Sequence, residues 1–135
     1  MRYIETQKIE MRDKVKNYLK LTYYTKGRNN NWYCDYYFYN GKEYNTGTTK
    51  ATVYGYDKES TCVSNAINKY KHLFKRYGKQ AKKYKSYGLY EDNSISYGIG
   101  ISAVLRCIEC FKNVKVTEVY EGKHESMIKL EIITD

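Results

Sequence analysis

The sequence predicts an α+β domain, an antiparallel sheet of about five strands in the order β-β-β-α-α-β-β with two helices packed on one face. Three observations lead there. Residues 15–54 hold three runs rich in β-favouring residues, separated by turn residues. From Cys62 and again from Ile101, apolar residues recur at steps of three and four. Residues 114–133 then alternate around Gly122-Lys123-His124.

The elements follow in chain order. Residues 15–25 (VKNYLKLTYYT) read as the first strand, and the polar stretch 26–31 as a turn. Residues 32–39 form the second strand. Asn40-Gly41 is a hairpin signal, since both residues tolerate the positive φ of a type I′ turn. Residues 43–54 return as a third strand. Asp57 is placed to cap a helix whose stripe runs through Cys62, Val63, Ala66, Ile67, Tyr70, Leu73, Phe74 and Tyr77, with Gly78 as its stop. Residues 79–93 lack a period and read as a loop or an irregular extension of that helix. Tyr97-Gly98-Ile99-Gly100 opens the second helix, carried by Ile101, Val104, Leu105, Ile108 and Phe111. Residues 114–121 and 126–133 close the sheet.

The 135 residues suit one domain, with 1–14 as a short helix or a flexible arm. Proline is absent and no Gly/Ser-rich linker is visible. No apolar run approaches the roughly 18 residues of a membrane span, and residues 1–20 lack the apolar block of a signal peptide. A cytoplasmic location in a host cell is therefore expected, with Cys34, Cys62, Cys107 and Cys110 as reduced thiols.

Charge is unevenly spread. From Ser60 to Tyr90 there is no acidic residue, while Lys69, Lys71, Lys75, Arg76, Lys79, Lys82, Lys83 and Lys85 supply nearly the whole formal net charge of +9. Tyr70, Tyr77, Tyr84, Tyr87 and Tyr90 are interleaved with them, part of a total of 18 tyrosines that an AT-rich coding genome explains as readily as a stacking surface does. Clustered cations attract phosphates and release counterions, and exposed rings stack on bases. The eight cations, with Tyr77 and Tyr84, are the expected contact surface for nucleic acid or a nucleoprotein effector. A solvated helix face is the plainer explanation, but such a face usually mixes signs.

Two glycine-bearing helix starts are candidate anion sites: Gly55, Lys58 and Ser60 at the first, Gly98, Gly100 and Ser102 at the second. Helix N-termini present unpaired N–H groups, and glycine permits close approach of a phosphate. Neither start is a P-loop or a full dinucleotide fingerprint, and ordinary turn and cap glycines are the favoured account of both.

Cys107-Ile108-Glu109-Cys110 is a lone C-x-x-C in the last turns of a helix, away from the helix N-terminus that activates a redox cysteine. His72, His124, Cys34 and Cys62 show no zinc-ligand spacing with it. Neither histidine has a nucleophile motif beside it, and the carboxylates are scattered. The chain is expected to be no enzyme, with no catalytic residue, metal or cofactor.

The pattern Gly55-Tyr56-Asp57-Lys58-Glu59-Ser60, followed by Gly98-Ile99-Gly100-Ile101-Ser102, resembles small uncharacterised proteins of phages and prophages. Size and Lys/Asn/Tyr-rich style also resemble the anti-CRISPR and other anti-defence proteins of Firmicute mobile elements. Many of those mimic DNA with acidic surfaces, whereas this chain is basic. The resemblance implies inhibition of a host defence system by binding a guide RNA, a target DNA or a nucleoprotein effector such as a CRISPR complex. Two alternatives remain open: a nucleotide sponge that captures a phosphate-bearing signal molecule at the helix starts, and an interaction protein with an acidic protein partner.

Overall fold

The structure, a computed structural model, describes residues 17–26, 31–51, 58–76, 87–122 and 124–133. Five strands form one antiparallel sheet: β1 (Asn17–Lys26), β2 (Asn31–Tyr39), β3 (Tyr44–Lys50), β4 (Val114–Glu121) and β5 (Glu125–Ile132), in the spatial order β3-β2-β1-β5-β4. Among the described residues two α-helices, α1 (Lys58–Asn68) and α2 (Ile101–Glu109), lie between β3 and β4 in sequence. The predicted fold class and element order stand.

Alternation sets the register. Leu19, Leu21 and Tyr23 of β1 face the helices with Ile128, Leu130 and Ile132 of β5, and all six are buried. A one-residue slip would turn that whole set to the other face, so the pairing of these two central strands is strongly specified. Cys34 of β2 joins the same core, as do Val63, Ala66 and Ile67 of α1 and Val104, Cys107 and Ile108 of α2. The predicted residues 52–54 at the end of the third strand lie outside the described residues, as do 1–16.

The β2–β3 turn sits one residue later than Asn40-Gly41 implies. The Asn40 N–H donates to the Glu43 carbonyl at 3.1 Å, so Gly41 and Lys42 take the central positions. Gly41 alone adopts positive φ, at 94°, which rules out a type I′ turn. The Asn40 side chain instead accepts hydrogen bonds from the Lys42 and Glu43 N–H groups at 3.0 and 2.7 Å.

The first helix is also shorter than its apolar spacing. It ends at Asn68, and the chain passes through a 3-10 turn at Lys71–Leu73 to an extended Phe74 at φ −88°, ψ 136°. Side-chain amides from distant segments take the chain over. Asn68 exchanges hydrogen bonds with both backbone groups of Ile95, at 2.7 and 3.0 Å. Asn113 accepts from the Lys75 N–H at 2.8 Å and donates to the Leu73 carbonyl at 2.6 Å. Phe74 stacks on Phe111 at 4.7 Å between centroids, and Arg76 forms a β-bridge with Phe111. Tyr70 and Phe74 reach the core as the spacing implies, but by a non-helical path. The position of Gly78 lies outside the described residues.

Lys20 of β1 is 7% exposed, on the sheet face opposite the helices. Burial, then repulsion from Lys129, lowers its amine from 10.5 to about 8. Folding thus favours the neutral amine. The cost of burying the charge is complete below about pH 8 and disappears above 10.5. Lys20→Met is expected to raise stability at neutral pH by on the order of 1–2 kcal/mol. That advantage should shrink as pH rises from about 8 towards 10.5, as urea denaturation of both proteins across that range will show.

Candidate nucleic-acid interface

The polar face of α1 decides the shape of the site. Ser60, Thr61 and Ser64 are buried and Asn68 is half-buried, at spacings that put them along one side of the helix. Each binds the segment 95–99, a bridge residue followed by a turn. Ser60 donates its hydroxyl to the Ile99 carbonyl. Ser64 donates to the Ser96 carbonyl at 3.3 Å, and the Gly98 N–H donates to the Thr61 hydroxyl at 3.3 Å. This ladder pins down a tight loop in which Leu89 bridges Ile95 and the Ser96 N–H donates to the Gly88 carbonyl at 2.8 Å.

The pinned loop brings new groups beside the basic segment. Tyr90 and Tyr97 stand 51% and 54% exposed, and the Tyr90 hydroxyl donates to Ser96 Oγ at 3.2 Å. Between them lies a hollow of about 410 Å³, lined also by Asn68, Lys71, Ser94 and Ser96. Lys69 is exposed at the end of α1, its ammonium 5.8 Å from the Tyr36 ring centroid. Lys71 pairs with Asp92 Oδ2 at 2.7 Å, and that hydrogen bond holds the Asp92 carboxyl well below the usual range.

The predicted cations therefore play unequal parts. Lys71 lines the hollow, Lys69 lies exposed two residues before it with its ammonium over Tyr36, and Lys75 lies half-buried nearby in sequence. Arg76 turns inward: its Nε donates to Asn93 Oδ1 at 2.6 Å, and its Nη2 is buried without a hydrogen-bond partner. Asn93, at φ 71°, also donates to the Phe74 carbonyl at 2.8 Å, so Arg76 braces the loop from beneath. Tyr77, Lys79, Lys82, Lys83, Tyr84 and Lys85 lie outside the described residues. The acid-free run of the sequence is not acid-free in space, because the loop returns Asp92 to Lys71. Tyr97 escaped sequence reasoning, although its place beside Gly98 in a turn signalled an exposed ring.

The glycine-bearing starts come together but spend their polar groups on each other. Ser60 is 1% exposed and its hydroxyl is taken by Ile99, while the Gly98 N–H is taken by Thr61. Gly100 caps α2 at φ −65°, Ser102 is exposed, Lys58 is half-buried, and Gly55 lies outside the described residues. Gly98 holds φ 75°, a conformation costly for other residues. Gly98→Ala is expected to lower stability by about 1 kcal/mol or more. Gly100→Ala should lower it by less, because φ −65° suits alanine, the new Cβ would meet nothing nearer than Ser102 Oγ at 3.9 Å, and the stiffer unfolded chain offsets the N-cap preference for glycine. Thermal melts of the two variants test this contrast.

The cysteines are all buried and free. Burial pushes Cys62 and Cys107 up to about 12 and Cys110 up to about 11, and holds Cys34 well above its ordinary value. Thiols held this firmly protonated are poor nucleophiles and poor metal ligands. Among the described residues no three His, Cys, Asp or Glu side chains gather to hold a metal ion. His72 and His124 are both exposed.

Comparison with family models, with curated proteins and with solved structures finds no significant match. Among the described residues no helix is long and apolar enough to cross a membrane. The chemistry of the hollow and of its basic rim is thus what bears on function.

Proposed function

We propose that this protein binds nucleic acid through the hollow between Tyr90 and Tyr97 and the cations at its rim. The observation that carries this reading is the pairing of two tyrosines, each more than half exposed, at one hollow lined also by Lys71, with Lys69 exposed two residues earlier in the chain. Exposed aromatic rings beside cations suit unpaired bases, each stacked base contributing about 1–3 kcal/mol, while lysines meet the phosphates. Bases within a duplex offer no free face to these rings, so a single-stranded or guide-like segment fits best. In the setting implied by the resemblance to anti-defence proteins, such binding would occupy a guide, a target strand or a nucleoprotein effector without any turnover.

Fluorescence anisotropy with labelled single-stranded DNA and RNA oligonucleotides, at two salt concentrations, tests this. Saturable binding that weakens with salt is expected. No binding at low salt would overturn it. The hollow also falls within the size range of small-ligand pockets, about 300–1,000 Å³. Saturation by a mononucleotide with no further gain from an oligonucleotide would therefore move the reading to nucleotide capture.

A further inference from the structure

The face of the sheet turned away from the helices carries a second, chemically different site. Strand pairing aligns its side chains in rows across the sheet. The middle row runs Thr48, Asp35, Thr22, Met127 and Tyr120. One neighbouring row includes Tyr33 beside Tyr24, and the other includes Tyr37 beside Lys20. Tyr24 and Tyr33 stack at 5.8 Å between centroids, and Tyr37 stacks on Tyr44 at 6.0 Å. Short side chains on β1, β2 and β3 thus lie between taller aromatic ones. The result is a trough of about 550 Å³ along Thr48, Asp35, Thr22 and Met127. A second hollow of about 390 Å³ shares Thr22, Asp35 and Glu125 with it and extends to His124.

Asp35 is the focus of the trough. The Tyr24 and Thr48 hydroxyls both donate to its Oδ1, at 3.0 and 2.7 Å, which orients the carboxylate and leaves Oδ2 for other donors. The Tyr37 hydroxyl at the wall is buried with no hydrogen-bond partner, a donor that a bound ligand can satisfy. Charges around the trough balance: Lys20, Lys50 and Lys129 stand against Asp35, Glu118 and Glu125, and Lys129 is already bound to Glu118 at 2.7 Å. A phosphate laid along the floor would meet Asp35 and Glu125, so this face does not suit the ligand proposed for the basic hollow.

We propose that the trough binds a neutral polyhydroxylated ligand, a sugar or short oligosaccharide, lying across β1, β2 and β3. A sugar ring offers an apolar C–H face and a rim of hydroxyl groups. The edge of Tyr37 at the trough wall and the half-buried Tyr24 in the adjoining hollow match the first, and Asp35, Thr22 and Thr48 match the second, with the charge-assisted bonds to Asp35 contributing most.

Amide chemical shifts of the whole protein, titrated with maltose, cellobiose and lactose and separately with AMP, test the assignment. One disaccharide is expected to saturate the shifts of Thr22, Asp35 and Thr48, with an affinity that does not change with salt. Asp35→Asn should weaken that binding about tenfold, and Thr48→Val should weaken it too, both with native amide spectra. Four results would each overturn the proposal: no saturable shift with any sugar, sugar shifts confined to residues 87–100, salt-dependent AMP binding in the trough, or equal sugar affinity in Asp35→Asn and wild type.

Discussion

Alanine at both Tyr90 and Tyr97 is expected to weaken single-stranded nucleic-acid binding by about 100-fold or more, on the scale of about 1–3 kcal/mol for each stacked base. Both rings are more than half exposed, so their removal leaves the core intact and the melting temperature close to that of the wild type. Stacking is not screened by salt, so the slope of affinity against salt should survive in this variant. Lys69→Glu should do the reverse, flattening that slope by roughly 0.7 or more for one lost phosphate contact on a single strand. Anisotropy titrations of the two variants separate the ring contribution from the charge contribution. Wild-type affinity in the double tyrosine variant would remove the hollow from the interface.

The largest loss of stability is expected from Phe111→Ala, about 3–5 kcal/mol. Phe111 is 1% exposed, stacks on Phe74 and bridges Arg76, so it joins the end of α2 to the segment that follows α1. A loss of that size is a large share of the roughly 5–15 kcal/mol that holds an ordinary domain together. Urea denaturation will measure it. Hydrogen exchange should show the amide of Lys112, which donates to the Lys75 carbonyl at 2.8 Å, losing protection in the variant. A cost below about 1 kcal/mol would mean that the Phe74–Phe111 stack does not anchor this side of the core.

Much of the fold was legible because its signals are local and periodic. Leu19, Leu21 and Tyr23, like Ile128, Leu130 and Ile132, alternate with polar residues, and only a strand puts such a set on one face. Ile101, Val104, Leu105 and Ile108 keep helical spacing, and the helix forms there. The density of lysine between Ser60 and Tyr90 was equally plain, but of its eight cations only Lys71 lines the hollow among the described residues.

Tertiary structure decided where periodicity stopped being obeyed and which charges stay unpaired. The end of α1 depends on Asn68, Asn93 and Asn113, whose amides bind backbone groups far along the chain from their own positions. A side-chain amide satisfies a backbone group as well as a helix turn does, and nothing in the local sequence says which of the two will win. The same folding back of residues 87–100 sets Asp92 against Lys71 and raises Tyr97 beside Tyr90, so the site is a product of two segments and not of the basic run alone. Composition and period belong to the sequence because they are sums over neighbours. The partners of Asn68, Lys71 and Asp35 belong to the fold, because a hydrogen bond acts over about 3 Å of space whatever the separation along the chain.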